Sequence, residues 1–221
     1  MKEKTDIRQI RHFIWDFDGT LFDTYPIIIE QMQSVLRDFG HSIDSLELME
    51  QLLHTVGVAL EYCAEKFSID YPQLSDAYAI VHNQTALLPV ALPMEAVESV
   101  LEAVVARGGK NLIFTHRTLA STNAYLEKYG LSHYFTDIVA PDTPGFAWKP
   151  APDAITYLLE TQGLDPGETA MVGDREIDLA SGRAAGVRCI HYLCKDVPQE
   201  LQCDWRFSNY AAMAATLKSE E

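Results

Sequence analysis

Positive charge is scarce in this sequence, and its apolar runs are short. The chain has 17 Lys and Arg residues against 32 Asp and Glu residues, which gives a formal net charge of -15. Nucleic acid and anionic membranes would both repel such a chain, so neither is expected as a partner. No apolar run is long enough to span a bilayer, and the first residues lack the apolar segment of a signal peptide. We therefore expect a cytoplasmic protein.

Cysteines are also few, and they follow no pattern typical of a metal site or a disulfide framework. No two of them form a C-x-x-C pair, and no paired histidine motif accompanies them. Because isolated cysteines are most often simply buried, we expect free structural thiols. The four are Cys63, Cys189, Cys194 and Cys203.

Strand-like and helix-like segments alternate from about residue 94 onward. The apolar runs "NLIFTHR", "ETAMVGDR" and "VRCIHYL" and the weaker strand-like run "DIVAPD" are separated by segments with helical spacing, and "RHFIWDFDG" adds an earlier strand. This order predicts right-handed crossovers and a parallel sheet. Residues 22–93 show helical patterns alone, which predict helices over residues 26–40, 45–67 and 72–88. We therefore predict an α/β fold, with a Rossmann-like parallel sheet core in residues 1–21 and 94–221 and an inserted α-helical bundle in residues 22–93.

Polar residues stand where the predicted strands end. In a parallel sheet the carboxyl ends of the strands meet at one edge, where ligands bind. An Asp-Gly pair flanked by apolar residues is also typical of a tight β-hairpin, but that alternative explains only one of the four strand ends. The residues at these ends are Asp16, Asp18, Thr115, Gly173 and Asp174, and Lys149 lies in the loop that follows "DIVAPD".

The acids among them predict a bound cation. Asp16 and Asp18 share one face of an extended backbone, and Asp178 lies one helical turn beyond Asp174. Two like charges about 4 Å apart cost roughly 4 kcal/mol at an effective dielectric near 20, so a cluster of carboxylates needs a counter-ion. Oxygen ligands favour Mg²⁺. Two alternatives stay open, because Asp174 also suits a helix N-cap and Lys149 a solvated surface.

Four separated motifs resemble those of the haloacid dehalogenase (HAD) superfamily, in its phosphoglycolate phosphatase-like branch. They are "DFDGTLFDT" at residues 16–24, "FTHR" at 114–117, "KPAP" at 149–152 and "GDREID" at 173–178. The resemblance implies a HAD-like fold and a Mg²⁺-dependent phosphatase that hydrolyses a small phosphate monoester. It also implies that the helical insertion is a cap domain.

The resemblance further implies roles for the matching residues. Asp16 would be the nucleophile that becomes an aspartyl phosphate, and Asp18 the general acid and base. The carboxylates of Asp16 and Asp174 and the backbone carbonyl of Asp18 would hold Mg²⁺. Asp178 would orient water molecules or Lys149. The phosphate-binding positions would be Gly19, Thr20, Thr115, His116, Arg117 and Lys149.

Two features depart from the usual pattern of this family. Asn more often follows the Thr of the second motif, where this chain has His116 and Arg117. Arg117 either binds a substrate anion or pairs with an acid, and we favour the pairing. Residues 23–90 carry only Arg37 and Lys66 as full cations, which favours a small or neutral leaving group.

Other functions explain the sequence less well. A phosphomutase of the β-phosphoglucomutase type uses a cap histidine shortly after the first motif, and "DTYPIIIE" has none. A receiver-like, non-catalytic phosphate-binding regulator would not need Asp18, and neither would a dehalogenase. An interaction module with a solvated acidic rim would not need four converging motifs. We expect a small phosphorylated metabolite as the partner and a monomer or homodimer.

Overall fold

The structure is a computed structural model that describes residues 6–85, 88, 90–193 and 200–219. The chain divides into two compact units. The α/β unit consists of Met1–Asp23 and Pro93–Glu221, and the helical unit consists of Thr24–Leu92. Among the described residues, no helix combines the length and the apolar character needed to cross a membrane.

A parallel sheet forms the centre of the α/β unit. Its strands are β1 (His12–Trp15), β2 (Asn111–Phe114), β3 (Phe135–Val139), β4 (Thr169–Gly173), β5 (Arg188–Tyr192) and β6 (Trp205–Phe207). Their order is β3-β2-β1-β4-β5-β6, and every neighbouring pair is parallel. The predicted Rossmann-like α/β fold is confirmed. The strand β6 was not predicted, because it is three residues long and lacks an apolar run.

Buried side chains explain why the central strands form. All residues of β2 and β4 are buried, as expected for strands covered by helices on both faces. A polar contact also joins β1 to β2, since the Trp15 indole donates a hydrogen bond to the Asn111 side chain over 2.9 Å. The helices of this unit are α5 (Val97–Ala106), α6 (Leu119–Lys128), α7 (Asp153–Gln162), α8 (Glu176–Ala184) and α9 (Tyr210–Lys218).

Among the described residues, the helical unit contains four helices, one more than the sequence predicted. We expected a continuous helix over residues 45–67, but the structure divides it in two because Thr55 begins a new helix. The Thr55 hydroxyl accepts a hydrogen bond from the Val58 N–H over 3.0 Å, which is an N-cap contact. The helices here are α1 (Tyr25–Asp38), α2 (Ser45–Leu52), α3 (Val56–Phe67) and α4 (Tyr71–Thr85), numbered ahead of α5 in chain order.

Backbone contacts within the α/β unit connect the segment before the insertion to the segment after it. Phe22 forms an antiparallel bridge with Pro93. The Met94 N–H donates a hydrogen bond to the Leu21 carbonyl over 2.9 Å. The two segments that flank the helical unit are therefore held side by side within the α/β unit.

The described cysteines are free thiols, as expected. Cys63 and Cys189 are buried and Cys203 is half-buried, whereas Cys194 lies outside the described residues. Burial raises the pKa of the Cys63 thiol to about 11 and that of Cys189 to about 12. Thiols with such values stay protonated at neutral pH, so both behave as small apolar groups.

Candidate active site

Polar residues from separate strands meet at the carboxyl edge of the sheet. The backbone hydrogen bonds between β1 and β4 continue beyond the end of β1, because the Asp16 N–H donates to the Val172 carbonyl over 2.9 Å. Those between β2 and β3 also continue beyond the end of β2, where the Thr115 N–H donates to the Val139 carbonyl over 3.0 Å. These bonds hold the backbones of Asp16 and Thr115 at the edge. Since β1 pairs in parallel with both β2 and β4, the hairpin alternative is excluded.

A glycine turn carries the chain out of β1 beyond the two aspartates. Gly19 has a φ of 79°, which is a left-handed conformation that glycine adopts without strain. The Thr20 hydroxyl donates to Asp174 Oδ1 over 3.2 Å, and the Tyr210 hydroxyl donates to the Thr20 carbonyl over 2.8 Å. Thr20 therefore orients Asp174. Sequence reasoning missed Tyr210, because nothing in the local sequence links α9 to the first motif.

Three carboxylates come together at this edge. Asp16, Asp174 and Asp178 each place an oxygen within 4.8 Å of the others, and all three residues are buried. We call them the acid cluster. The predicted metal ligands Asp16 and Asp174 belong to it, together with Asp178, which was predicted as a supporting residue. The carboxylate of Asp18 is not a member.

Lys149 neutralises part of the acid cluster by direct contact. Its Nζ lies 2.5 Å from Asp16 Oδ1 and 2.8 Å from Asp178 Oδ1, and its side chain is fully buried. The same nitrogen lies 4.9 Å from the centre of the Phe114 ring. The structure thus excludes the alternative of a solvated surface lysine. The ammonium group instead fixes one oxygen of each of two buried carboxylates.

The two carboxylates that contact Lys149 differ in pKa. Burial and the negative charge of Asp178 raise the pKa of Asp16 to about 6, although Lys149 and Arg175 oppose the rise. Burial also opposes ionisation of Asp178, but the charges of Lys149 and Arg175 outweigh it, so its pKa lies below the usual value. Asp178 is therefore the ionised partner of Lys149. Ionisation of Asp16 at neutral pH would be favoured further by a bound cation.

Arg175 is a buried cation that sequence reasoning missed. Its guanidinium lies 3.6 Å from Asp16 Oδ2, 3.6 Å from Asp178 Oδ2 and 4.0 Å from Asp174 Oδ1, and the residue is only 7% exposed. Its backbone N–H also donates to Asp178 Oδ2 over 3.1 Å. The signal was present in the motif "GDREID", which we interpreted for its aspartates alone.

The glycine of that motif leaves space for Asp178. A Cβ atom on Gly173 would lie 2.3 Å from the Cβ of Asp178, a distance that real structures do not tolerate. Gly173 is the last residue of β4, directly before Asp174. The absence of a side chain therefore lets α8 bring Asp178 against the end of the strand.

Arg117 pairs with the second aspartate of the first motif. Its Nη2 and Nε lie 2.6 and 3.2 Å from Asp18 Oδ1, and its Nη1 donates to the Ser121 hydroxyl over 2.8 Å. Its guanidinium also lies 5.4 Å from the Phe17 ring centre and 5.1 Å from that of Tyr125. The acid partner of Arg117 is thus Asp18 itself.

His116 joins the second motif to the lysine loop. Its Nε2 accepts a hydrogen bond from the Lys149 backbone N–H over 2.9 Å, and its ring makes an edge contact with Trp148 at 4.6 Å. Burial, together with the charges of Lys149 and Arg175, lowers the pKa of His116 to about 3. His116 is therefore neutral, and its contact holds the backbone of Lys149. Its predicted contact with phosphate stays a prediction.

The acid cluster offers suitable atoms for a hard cation. Although Asp16 Oδ2 is buried, it accepts no hydrogen bond from any residue that the structure describes. Buried polar atoms are normally paired, so an oxygen in this state is suited to a ligand that the protein itself does not supply. Carboxylate oxygens are the donors that Mg²⁺ prefers. The residues present therefore fit the cation that the sequence predicted.

Comparison with known proteins identifies the family. Residues 13–192 match the model of the haloacid dehalogenase-like hydrolase family. The chain belongs to this family. The match confirms the resemblance that the four motifs predicted and the prediction of a hydrolase.

Similar proteins carry names of phosphatases. The chain is 32% identical to pyrophosphatase PpaX of Bacillus pumilus over 184 residues, which cover 81% of each chain. It is 27% identical to phosphoglycolate phosphatase 1 of Pseudomonas aeruginosa over 191 residues, which cover 81% of this chain and 68% of the relative. A HAD family hydrolase from Deinococcus radiodurans, solved with bound phosphate and sodium, has the same fold. Its TM-score is 0.78, with 22% identity and coverage of 95% of this chain and 96% of that one.

Proposed function

We propose that this protein is a Mg²⁺-dependent phosphatase that hydrolyses a small phosphate monoester through an aspartyl phosphate on Asp16. The observation that carries this proposal is the state of the Asp16 carboxylate. Lys149 contacts its Oδ1, whereas its buried Oδ2 accepts no hydrogen bond from the described residues. The Arg175 guanidinium lies 3.6 Å from Oδ2, beyond hydrogen-bonding distance. A carboxylate with one oxygen held and the other without a hydrogen bond is suited to attack an electrophile.

The proposed reaction has two chemical steps. In the first, an oxygen of Asp16 forms a bond to phosphorus, the bond to the leaving oxygen breaks, and Asp18 gives that oxygen a proton. In the second, Asp18 takes a proton from a water molecule, whose oxygen attacks phosphorus. Inorganic phosphate leaves, and the carboxylate of Asp16 is restored. Each step needs Asp18 to be held close to the reacting oxygen.

The other residues of the site would bind the phosphoryl group, neutralise its charge or orient neighbouring side chains. Thr115 and Lys149 would bind the transferring phosphoryl group, and Asp178 would keep Lys149 in place. Mg²⁺, bound by the carboxylates of Asp16 and Asp174 and by the backbone carbonyl of Asp18, would offset the negative charge of the phosphoryl group. Thr20 would orient Asp174 through the hydrogen bond between them.

Substrate selectivity would come from the helical unit acting as a cap. This unit carries only two full cations, Arg37 and Lys66, so it is poorly suited to a strongly anionic leaving group. Two of the similar proteins are named for phosphoglycolate and pyrophosphate, and both compounds belong in a substrate panel. We expect a monoester with a small neutral leaving group to be hydrolysed faster than pyrophosphate.

The test is phosphate release from a panel of small phosphate monoesters, with Mg²⁺ and with a chelator. We expect metal-dependent turnover by the parent protein and none by Asp16→Asn or Asp18→Asn. A matched control is Asp76→Asn, which changes an exposed aspartate of α4 and should keep the parent rate. Intact-mass measurement of Asp18→Asn after reaction with p-nitrophenyl phosphate should detect the phosphorylated chain. Turnover that survives Asp16→Asn, or no turnover of any ester, would contradict the proposal.

A further inference from the structure

Arg175 stands among the residues proposed to hold the cation. We propose that Arg175 is a resident counter-ion of the acid cluster and that its charge limits the affinity of the site for a divalent cation. This inference rests on the metal site of the proposed function. It adds a residue that sets how tightly, and under which conditions, that site binds metal.

The distances support a role through charge. The guanidinium nitrogens lie 3.6 to 4.0 Å from carboxylate oxygens of Asp16, Asp174 and Asp178. These separations are longer than ordinary hydrogen bonds, so Arg175 acts on these oxygens electrostatically. Lys149 differs, because it contacts Asp16 and Asp178 directly at 2.5 and 2.8 Å. Lys149 therefore neutralises the cluster through direct contacts, and Arg175 neutralises it through its charge at a longer distance.

Burial makes the charge of Arg175 effective. The residue is 7% exposed and the three acids are at most 1% exposed, so little water screens them. When all three carboxylates are ionised and no metal is bound, they carry one net negative charge together with Lys149 and Arg175. A divalent cation would reverse that sign, and the repulsion between Arg175 and the cation would oppose binding.

A phosphate group would remove this repulsion. The anion adds negative charge at the same place, so metal and phosphate should each strengthen the binding of the other. With a neutral side chain in place of Arg175, the affinity for the metal would depend less on whether the anion is bound. Arg175 would thus make metal binding tighter in the form of the protein that holds a phosphorylated ligand than in the free form.

The experiment measures Mn²⁺ binding directly, by electron paramagnetic resonance, in the absence of substrate. We expect Arg175→Met to bind Mn²⁺ about tenfold more tightly than the parent, and Arg175→Lys to remain near the parent value. The matched control is Arg183→Met, which removes a cation of α8 that pairs with exposed Glu176. It should leave Mn²⁺ affinity unchanged. Inorganic phosphate should strengthen Mn²⁺ binding more in the parent than in Arg175→Met.

Several results would overturn the inference. Equal or weaker Mn²⁺ binding by Arg175→Met is one, and an absence of Mn²⁺ binding by both proteins is another. If circular dichroism shows that Arg175→Met does not fold, Arg175→Gln is measured against the same criteria.

Phosphate release measured in parallel separates this inference from the proposed function. Metal-dependent hydrolysis with Mn²⁺ affinity unaffected by the substitution would remove the inference alone. Tighter Mn²⁺ binding by Arg175→Met, combined with no hydrolysis by the parent, would support the inference and remove the proposed function.

Discussion

At the scale of single residues, the contact between Arg117 and Asp18 defines the orientation of the proposed acid and base. Arg117 cannot move freely, because the Ser121 hydroxyl and the rings of Phe17 and Tyr125 surround its guanidinium. Asp18 in turn accepts two of its N–H groups. A proton donor needs this kind of support, since a small displacement from the reacting oxygen strongly reduces the rate.

Replacing Arg117 should therefore affect turnover more than substrate binding. We expect Arg117→Leu to lower kcat by about tenfold to hundredfold, with KM nearly unchanged, because Asp18 loses the group that orients it. Steady-state kinetics on the best ester of the panel provide the measurement. Arg188→Leu serves as the control, since it removes a partly exposed arginine that pairs with Asp204. A rise in KM at constant kcat would instead assign Arg117 to substrate binding.

Only some residues of the site could be predicted from the sequence. Asp16, Lys149 and Asp174 come together as the rule for strand ends predicted, because that rule depends on topology alone. Arg175 stands inside the motif "GDREID", but the direction that its long side chain takes after the strand is set by the fold and not by the motif. Tyr210 reaches Thr20 from a helix near the end of the chain, so only the folded structure reveals the contact.

At the scale of elements, the strands that were predicted most clearly are those with continuous apolar runs, whereas "DIVAPD" gave only a weak prediction of β3. Such runs arise when both faces of a parallel sheet are covered, as for β4. By contrast, β6 exists through its pairing with β5, and its exposed Arg206 interrupts any apolar pattern. The division at Thr55 was missed for a similar reason, since the apolar spacing on its two sides is compatible with one long helix.

The packing of α8 against the sheet gives a prediction for stability. A Cβ atom on Gly182 would lie 2.8 Å from the Met171 Cβ and 3.1 Å from the Cys189 Sγ. We expect Gly182→Ala to lower the free energy of unfolding by about 1 to 3 kcal/mol, because the helix must move away from the strands. Urea denaturation measures the change.

A glycine with free space provides the control for this prediction. On Gly57, in α3, the Thr55 Oγ1 at 3.6 Å is the one atom of the described residues that a Cβ atom would meet. Gly57→Ala should be neutral or should stabilise the protein by up to about 1 kcal/mol, because alanine favours the helix. If both substitutions change the free energy of unfolding equally, close packing at Gly182 does not determine the stability of the protein.

At the scale of the whole molecule, the net charge of -15 predicts a dependence on salt. Repulsion among the acids destabilises the folded state, so raising NaCl from about 10 mM to about 200 mM should raise Tm by screening. Mg²⁺ at matched ionic strength should raise Tm further, because we propose that it binds the acid cluster of the folded protein. Differential scanning calorimetry measures both effects.

Only the second effect should depend on the proposed site. Asp174→Asn should lose the additional stabilisation by Mg²⁺ and keep the response to NaCl, whereas Asp76→Asn should keep both. If Mg²⁺ stabilises the parent no more than NaCl at equal ionic strength, the acid cluster does not bind the cation.

The join between Leu21, Phe22, Pro93 and Met94 has a consequence for how such a protein can diversify. The α/β unit holds these two segments together with its own backbone contacts, so it does not rely on the insertion to bring them close. Loop-closure entropy grows slowly with length, and inserts of different size can therefore occupy this position at little cost. Gene-level exchange of the insert would leave the residues around Asp16 in place. With the selectivity that we propose for the helical unit, selection can thus alter which molecules are accepted while the hydrolytic chemistry is inherited unchanged.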